Sequence, residues 1–187
     1  FYRLAIHPEN GKVYAGTFYR GMVELDGDEV TVIDAANSNL QRSALDPNVT
    51  RISGLAFDSE NNLWIANHTA QNSVAVLKNA DGEIINDFDL PSIMALRQVI
   101  VDDFDNKWFT IDGDQQGILV FNEGNLEDPN DDQYRFLTAA NSQLTNNRVN
   151  SLAVDLDGDV WVGTEEGAFV FECGSNVFDG SLCQGSR

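Results

Sequence analysis

Residues 152–164, LAVDLDGDVWVGT, hold the pattern that decides the fold. Three apolar positions lead into an acidic turn, and a Trp with a short apolar run follows. The same order recurs in LAIHPENGKVYAG (4–16), LAFDSENNLWIAN (55–67) and VIVDDFDNKWFTI (99–111). From Leu55, Val99 and Leu152 the Trp comes nine residues later; the first copy has one extra residue and carries Tyr14 in that place. Trp64, Trp108 and Trp161 are the only tryptophans of the chain, and all three fall at this position. Self-similarity of this kind marks a repeated structural unit.

Working outward, each unit offers a third apolar run: Met22–Leu25, Val74–Leu77, Gly117–Phe121 and Ala168–Phe171. A fourth follows in three copies, at Val30–Ile33, Ile84–Leu90 and Tyr134–Leu137. The runs are short, rich in β-branched and aromatic residues, and bounded by turn formers, which favours strands over helices. Successive aromatics stand 50, 44 and 53 residues apart, close to the period of a propeller blade. The expected fold is therefore all-β: a β-propeller region over 1–187 with four four-stranded antiparallel blades near 1–50, 51–95, 96–147 and 148–187. The fourth blade has an outer strand only if residues after Phe178 supply it. Trp161 is expected to pack between blades, so that Trp161→Ala costs roughly 3–5 kcal/mol.

The links between units repeat as well: DAANSNL (34–40) matches TAANSQL (138–144). Asn and Ser there can bond the local backbone into a fixed turn. Arg51 and Arg148 stand four residues before Leu55 and Leu152, and this equivalence favours a structural role, hydrogen-bonding carbonyls between blades, over ligand contact.

Seen alone, Asp155-Leu156-Asp157-Gly158-Asp159 resembles a calcium loop. Its counterparts, Pro8-Glu9-Asn10-Gly11, Ser59-Glu60-Asn61-Asn62 and Asp103-Phe104-Asp105-Asn106, share only turn-forming chemistry. Calcium needs six to eight oxygens, and Gly158 precedes Asp159 where an EF-hand has the reverse order. The stretch reads as a hairpin turn, with Asp58, Asp102 and Asp155 placed to cap its amides. No metal site and no cofactor is expected.

Thirty acidic against 11 basic residues give a net charge of −19 over 187 residues. That field opposes a nucleic-acid partner. The densest acidic patch, Glu127-Asp128-Pro129-Asn130-Asp131-Asp132, reads as a solvated loop. No apolar run reaches the ~20 residues of a membrane span. Without an initiating Met or signal peptide, the chain reads as an excised piece, and any export signal is expected to lie outside it. Cys173 and Cys183 are either a disulfide closing a small loop in an oxidising compartment or two free thiols.

No catalytic constellation emerges: His7 and His68 lie in different units, and nucleophile-elbow, zincin and P-loop patterns are missing. Binding candidates come from the loops between second and third strands: Phe18-Tyr19-Arg20, His68 to Asn72, Asp112 to Gln116 and Glu165-Glu166. Phe18, Tyr19 and Arg20 lead, because an aromatic pair beside a guanidinium can stack on sugars and pair with anions. The competing account has Phe18 and Tyr19 packing on the neighbouring blade.

ISGLAFDSENNLWIAN (52–67) and VNSLAVDLDGDVWVGTEEGAFVF (149–171) resemble the two-component-regulator propeller repeat. That repeat is common in periplasmic sensor regions of hybrid histidine kinases, and in the propeller protein of the type IX secretion system's surface-attachment complex. AANSQLTNNRVNSLAVDLDGDVWVGTEEGAFVFECGSNVF (139–178) is more similar to the latter. The resemblance implies a non-catalytic, extracytoplasmic binding scaffold in the periplasm or at the cell surface, with lipopolysaccharide, other glycan or envelope proteins as partners. A sensor propeller of a hybrid kinase is the alternative, and a propeller lactonase or lyase a further one. Such rings commonly have more than four blades, so uncovered blade edges and flanks are expected to drive self-association or to take a partner.

Overall fold

A computed structural model describes residues 2–92, 94–113 and 116–187. The chain divides into two compact units, residues 1–97 and 98–187, each built from two antiparallel sheets. In the first unit, β1 (Arg3–Ile6), β2 (Val13–Gly16), β3 (Met22–Asp26) and β4 (Glu29–Ile33) pair in sequence order. The second sheet holds β5 (Ile52–Phe57), β6 (Leu63–Asn67), β7 (Val74–Leu77) and β8 (Ile84–Ile85), also in sequence order. The third sheet holds β9 (Leu96–Val101), β10 (Lys107–Ile111), β11 (Gly117–Asn122) and β12 (Gln133–Leu137). The fourth holds β13 (Val149–Val154), β14 (Val160–Thr164) and β15 (Gly167–Phe171). In its outer place Ser186 pairs with Val170 through two backbone bonds, Val170 N to Ser186 O at 2.8 Å and the reverse at 2.9 Å. Residues after Phe178 thus return to that edge. Up-and-down four-stranded sheets in series are the blades of a β-propeller.

The core follows from strand alternation. In unit 1 one side of blade 2 presents rows Leu55–Ile65–Ala75 and Phe57–Leu63–Leu77–Ile84. Tyr14 and Met22 of blade 1 pack into the same cluster. In unit 2, blade 4 presents Leu152–Val162–Phe169 and Val154–Val160–Phe171. Trp108, Ile118 and Val120 of blade 3 join that cluster, with Trp108 and Phe171 ring centroids 5.8 Å apart.

A clasp explains why Asp, turn and Trp recur together. Asp58 Oδ1 accepts the amides of Glu60 and Asn62 at 2.9 and 2.8 Å, while Oδ2 accepts the Trp64 indole N–H at 2.8 Å. Asp102 repeats this with Phe104, Asn106 and Trp108 at 2.9, 2.9 and 2.8 Å. Asp155 repeats it again with Asp157, Asp159 and Trp161 at 3.0, 3.1 and 2.7 Å. One carboxylate therefore closes the turn and aims the ring two residues into the next strand. Each turn also needs one left-handed residue, and Gly11, Asn61, Asp105 and Gly158 supply it with φ of 75°, 65°, 56° and 82°. Blade 1 replaces the clasp: His7 Nδ1 accepts the Glu9 amide at 3.1 Å, and the Tyr14 hydroxyl donates to the Ala80 carbonyl instead.

The link motifs fold alike. Asn37 and Asn141 accept the amides of Asp34 and Thr138, both at 2.9 Å. Each donates back to a strand carbonyl, Val32 or Phe136, at 2.7 and 2.9 Å. Ser38 and Ser142 bond the carbonyls of Asp34 and Thr138 at 2.6 Å.

One expectation is corrected. Tyr14, Trp64 and Trp108 are 0%, 0% and 1% exposed, but Trp161 is 45% exposed. Its backbone register and its Asp155 clasp match the others; what differs is that none of the described residues covers its ring. Burial depends on a neighbouring sheet, which the repeat pattern alone does not supply.

Cys173 and Cys183 form a disulfide. Arg135 on β12 braces the loop between them, donating to the carbonyls of Val177 at 2.9 Å and Cys183 at 3.2 Å.

Candidate functional site

The loop joining β2 to β3 is rigid for identifiable reasons. Thr17 N and Oγ1 donate to Gly21 O at 2.9 and 3.0 Å, and Arg20 N donates to Thr17 Oγ1 at 2.9 Å. Gly21 sits at φ +68°, and a Cβ there would lie 2.1 Å from Ile33 O, so no other residue fits. The loop is stitched to the segment entering β5: Gly21 N to Thr50 O at 2.9 Å, Thr50 N to Tyr19 O at 3.2 Å, and Ile52 N to Thr17 O at 2.8 Å. Phe18 and Arg51 are thereby held side by side.

The Arg51 guanidinium carbon lies 5.2 Å from the Phe18 ring centroid. Phe18 also meets Tyr2 at 5.3 Å and His68 at 5.1 Å. Arg97 and Arg3 flank Tyr2, at 5.9 and 5.8 Å from its centroid, and Arg97 Nε donates to the Tyr2 hydroxyl at 3.1 Å. His68 is fixed by its amide, which donates to Arg51 O at 2.8 Å, and by Nδ1, 2.6 Å from Leu96 O. A carbonyl accepts only, so Nδ1 carries the proton in that contact.

The charge balance here is unusual for so acidic a chain. The Arg51 side chain has no ion pair or hydrogen bond among the described residues, and its Nε is buried without a partner. Stacking on an aromatic face satisfies its charge only in part, and a guanidinium's N–H donors match the geometry of a planar anion. All the arginines of unit 1, namely Arg3, Arg20, Arg42, Arg51 and Arg97, lie at this end of the strands, with the β2–β3 loop and the link into β5. Lys12 sits at the opposite hairpin, paired with Glu24 at 3.0 Å.

Three of the expected binding residues therefore converge: Phe18, Arg51 and His68. Tyr19 and Arg20 do not join them. Tyr19 is 69% exposed, and both line a separate cleft of about 220 Å³ with Asp34, Arg42, Asn48 and Thr50. The Phe18 ring is half-buried on Tyr2, His68 and Arg51, so the aromatic pair is Tyr2–Phe18, not Phe18–Tyr19. Arg51 and Arg148 are not the carbonyl bridges their equivalence implied. Arg51 stacks on Phe18, and Arg148 pairs on the surface with Glu165 at 3.2 Å. Glu165 was a loop candidate; Asp114 and Gln115 of another loop lie outside the described residues. Tyr2 and Arg97 escaped sequence reasoning, although both stand two residues before the repeat's first apolar position, Leu4 and Val99.

A larger cleft of about 450 Å³ opens between β4 and β8 in unit 1, lined by Glu24, Asp81 and Glu83 among others. Two of its acids are engaged locally: Glu24 by Lys12, and Glu83 by the Asn39 amide at 3.3 Å. At the DLDGD turn, both Asp155 oxygens accept N–H groups. Among the described residues no group of three or more His, Cys, Asp or Glu side chains is placed to hold a metal ion.

Comparison with known proteins bears on the fold. Residues 143–166 match the family model described as two component regulator propeller. No curated protein matches the chain in sequence. Among solved structures it is similar to PorZ, an essential bacterial surface component of the type-IX secretion system of Porphyromonas gingivalis, at 20% identity and a TM-score of 0.86. That match covers 99% of this chain and 26% of PorZ. The extracellular domain of the putative hybrid two component system BT3049 from B. thetaiotaomicron matches at 18% identity and TM-score 0.67, covering 98% and 21%. Virginiamycin B lyase from Staphylococcus aureus matches at 15% identity and TM-score 0.62, covering 100% and 55%. The chain thus spans about a quarter of PorZ and a fifth of the BT3049 domain. It has the β-propeller fold these structures share, and the family match is confined to residues 143–166.

Proposed function

We propose that the chain is part of a non-catalytic, extracytoplasmic binding scaffold, of the surface-attachment kind found in type IX secretion, and that the Tyr2–Phe18–Arg51–Arg97 cluster holds an anionic glycan such as lipopolysaccharide. The carrying observation is Arg51: a guanidinium stacked on a fixed ring, with a buried Nε that has no partner. Rings that stack on sugar faces beside donors that fork onto a carboxylate or phosphate are the chemistry of charged-saccharide recognition. The likeness to PorZ across 99% of the chain supports the setting. The disulfide fits an oxidising compartment.

The test is surface plasmon resonance of the 187-residue chain on purified phosphorylated lipopolysaccharide, with neutral dextran as reference. A charged hydrogen bond is worth ~1.5–3 kcal/mol, so Arg51→Ala should weaken binding roughly 10- to 100-fold. Phe18→Ala should weaken it too, and Arg148→Ala should not. Retention of binding by both Arg51→Ala and Phe18→Ala, or failure of the native chain to bind, overturns the proposal. A sensor propeller of a two-component system is the second reading, favoured by the repeat match at 143–166 and the BT3049 likeness. It predicts the same cluster coupled to a membrane span and kinase in the gene. The lyase reading rests on fold likeness alone.

A further inference from the structure

The repeat pattern accounts for most of unit 1 but not for the stretch between Leu40 and Arg51. Ten residues separate these two, against three between their counterparts Leu144 and Arg148. The longer stretch is fixed on both sides of Arg42. Gln41 N donates to Asn67 Oδ1 at 2.8 Å, and Gln41 O accepts Asn67 Nδ2 at 3.0 Å. Ser43 N donates to Val49 O at 2.9 Å and Ala44 N to Thr69 O at 2.7 Å, while the Ser43 and Thr69 hydroxyls bond at 2.7 Å. This ordering does little for the core, since Leu45 within it is 73% exposed. What it holds in place is Arg42.

Arg42 lines the same cleft of about 220 Å³ as Arg20, together with Tyr19, Asp34, Asn48 and Thr50. The cleft is made wholly by segments between residues 19 and 50. Arg20 is fixed there by its amide, which donates to Thr17 Oγ1 at 2.9 Å, and by bridge pairing with Thr50. The Arg42 stem is steadied by Nη1, which donates to Pro47 O at 3.3 Å. Two guanidiniums thus share the cleft with one carboxylate, and Asp34 Oδ1 accepts the Ala36 amide at 2.7 Å. Like charges brought together repel, and an anion placed with them turns that cost into attraction. Such a cationic cleft stands out in a chain of net charge −19, whose overall field disfavours anions. Tyr19 adds a ring that is 69% exposed.

We infer that this cleft is a binding subsite for an acidic sugar, a single pyranose unit bearing phosphate or carboxylate. The forked donors of Arg20 and Arg42 take the anion, and the Tyr19 ring takes the apolar face of the sugar. The volume lies below that of pockets for drug-sized ligands, which suits one small unit. The subsite is separate from the Tyr2–Phe18–Arg51–Arg97 cluster and does not depend on it.

Arginine Nε–H signals in the nitrogen-15 NMR spectrum of the 187-residue chain read this directly, assigned with Arg20→Lys and Arg42→Lys. The titrants are glucose 6-phosphate and glucuronate, with glucose and inorganic phosphate as references. The Arg20 and Arg42 signals should move with an acidic sugar and not with glucose; response to either acid supports the inference, and their ratio tells phosphate from carboxylate. Arg20→Ala or Arg42→Ala should weaken binding at least roughly tenfold, as for loss of a charged hydrogen bond. Tyr19→Ala should bring the sugar phosphate down to the affinity of inorganic phosphate. All three positions are exposed, and circular dichroism checks that the variants keep their fold. Arg51→Ala should leave the cleft's affinity unchanged, so the two sites are tested apart. Arg20 and Arg42 signals that stay still with both acids, that move equally with glucose, or that move only while Arg51 is present overturn the inference. So does inorganic phosphate binding as tightly as the sugar phosphate.

Discussion

Trp108 and Trp161 occupy one position in two copies of the repeat and lie in the same unit, so replacing each by Ala isolates the worth of a covering blade. Both indoles donate to a carboxylate six residues earlier, at 2.8 and 2.7 Å. They differ in exposure, 1% against 45%. Removing a fully buried Trp costs ~3–5 kcal/mol, part of it transfer of the ring and part the cavity left behind. For Trp161 about half the ring is already in water, and solvent fills the space it vacates. The transfer term halves and the cavity term nearly vanishes, leaving ~1–2 kcal/mol. Urea unfolding followed by circular dichroism, at concentrations low enough to keep the chain dispersed, gives both values. Since both variants share nearly the same m, which scales with the surface exposed on unfolding, the midpoint shift should be roughly twofold larger for Trp108→Ala. Equal shifts would refute the reasoning, because they would mean that Trp161 is covered as Trp108 is.

Further outcomes follow from the clasp, the disulfide and blade 1. The Asp155 carboxyl is held below its ordinary value, first by the Trp161 indole N–H and then by amides of its own turn. A lowered carboxyl stabilises fully above its unfolded value, and that share is lost as pH falls through the folded value. Asp155→Asn should therefore lower the melting temperature at neutral pH and flatten the acid limb of its pH profile; an unchanged limb would rule the clasp out as its source. The disulfide closes a loop with a sequence separation of 10. Cys173→Ser with Cys183→Ser should cost ~2–3 kcal/mol by chain entropy and speed hydrogen exchange at the Val170 amide, which bonds Ser186 O. Burial, with Glu24 nearby, pushes the Tyr14 phenol up to about 12, so it stays a donor to Ala80 O across neutral pH. Tyr14→Phe should cost ~1–2 kcal/mol in urea unfolding, mainly through the carbonyl left without its bond.

Much of the fold was legible because its determinants are local. An Asp, a left-handed turn residue and an aromatic sit within seven residues of one another. Their bonds form between near neighbours, so any copy of the pattern folds the same way wherever it stands. The same holds for Asn37 and Ser38 and their counterparts Asn141 and Ser142, whose bonds span at most five residues. The indole half of the clasp was equally readable, as a fixed D-x₅-W spacing, though turn capping alone was expected of the acid.

The candidate site was legible only in part. Phe18, His68 and Arg51 stood out as loop or link residues, but Tyr2 and Arg97 are 95 residues apart and meet only when β1 and β9 fold. Arg51 and Arg148 show the limit most clearly: equivalent in the repeat, one stacks on a ring and the other pairs with Glu165. Sequence by itself determined the strands, their turns and the aromatic position, since short-range hydrogen bonds and period-two alternation specify them. Tertiary structure alone decided which aromatics are buried, and that Arg51 stacks on a ring where Arg148 pairs with an acid. Both depend on what a distant segment brings to within a few ångströms.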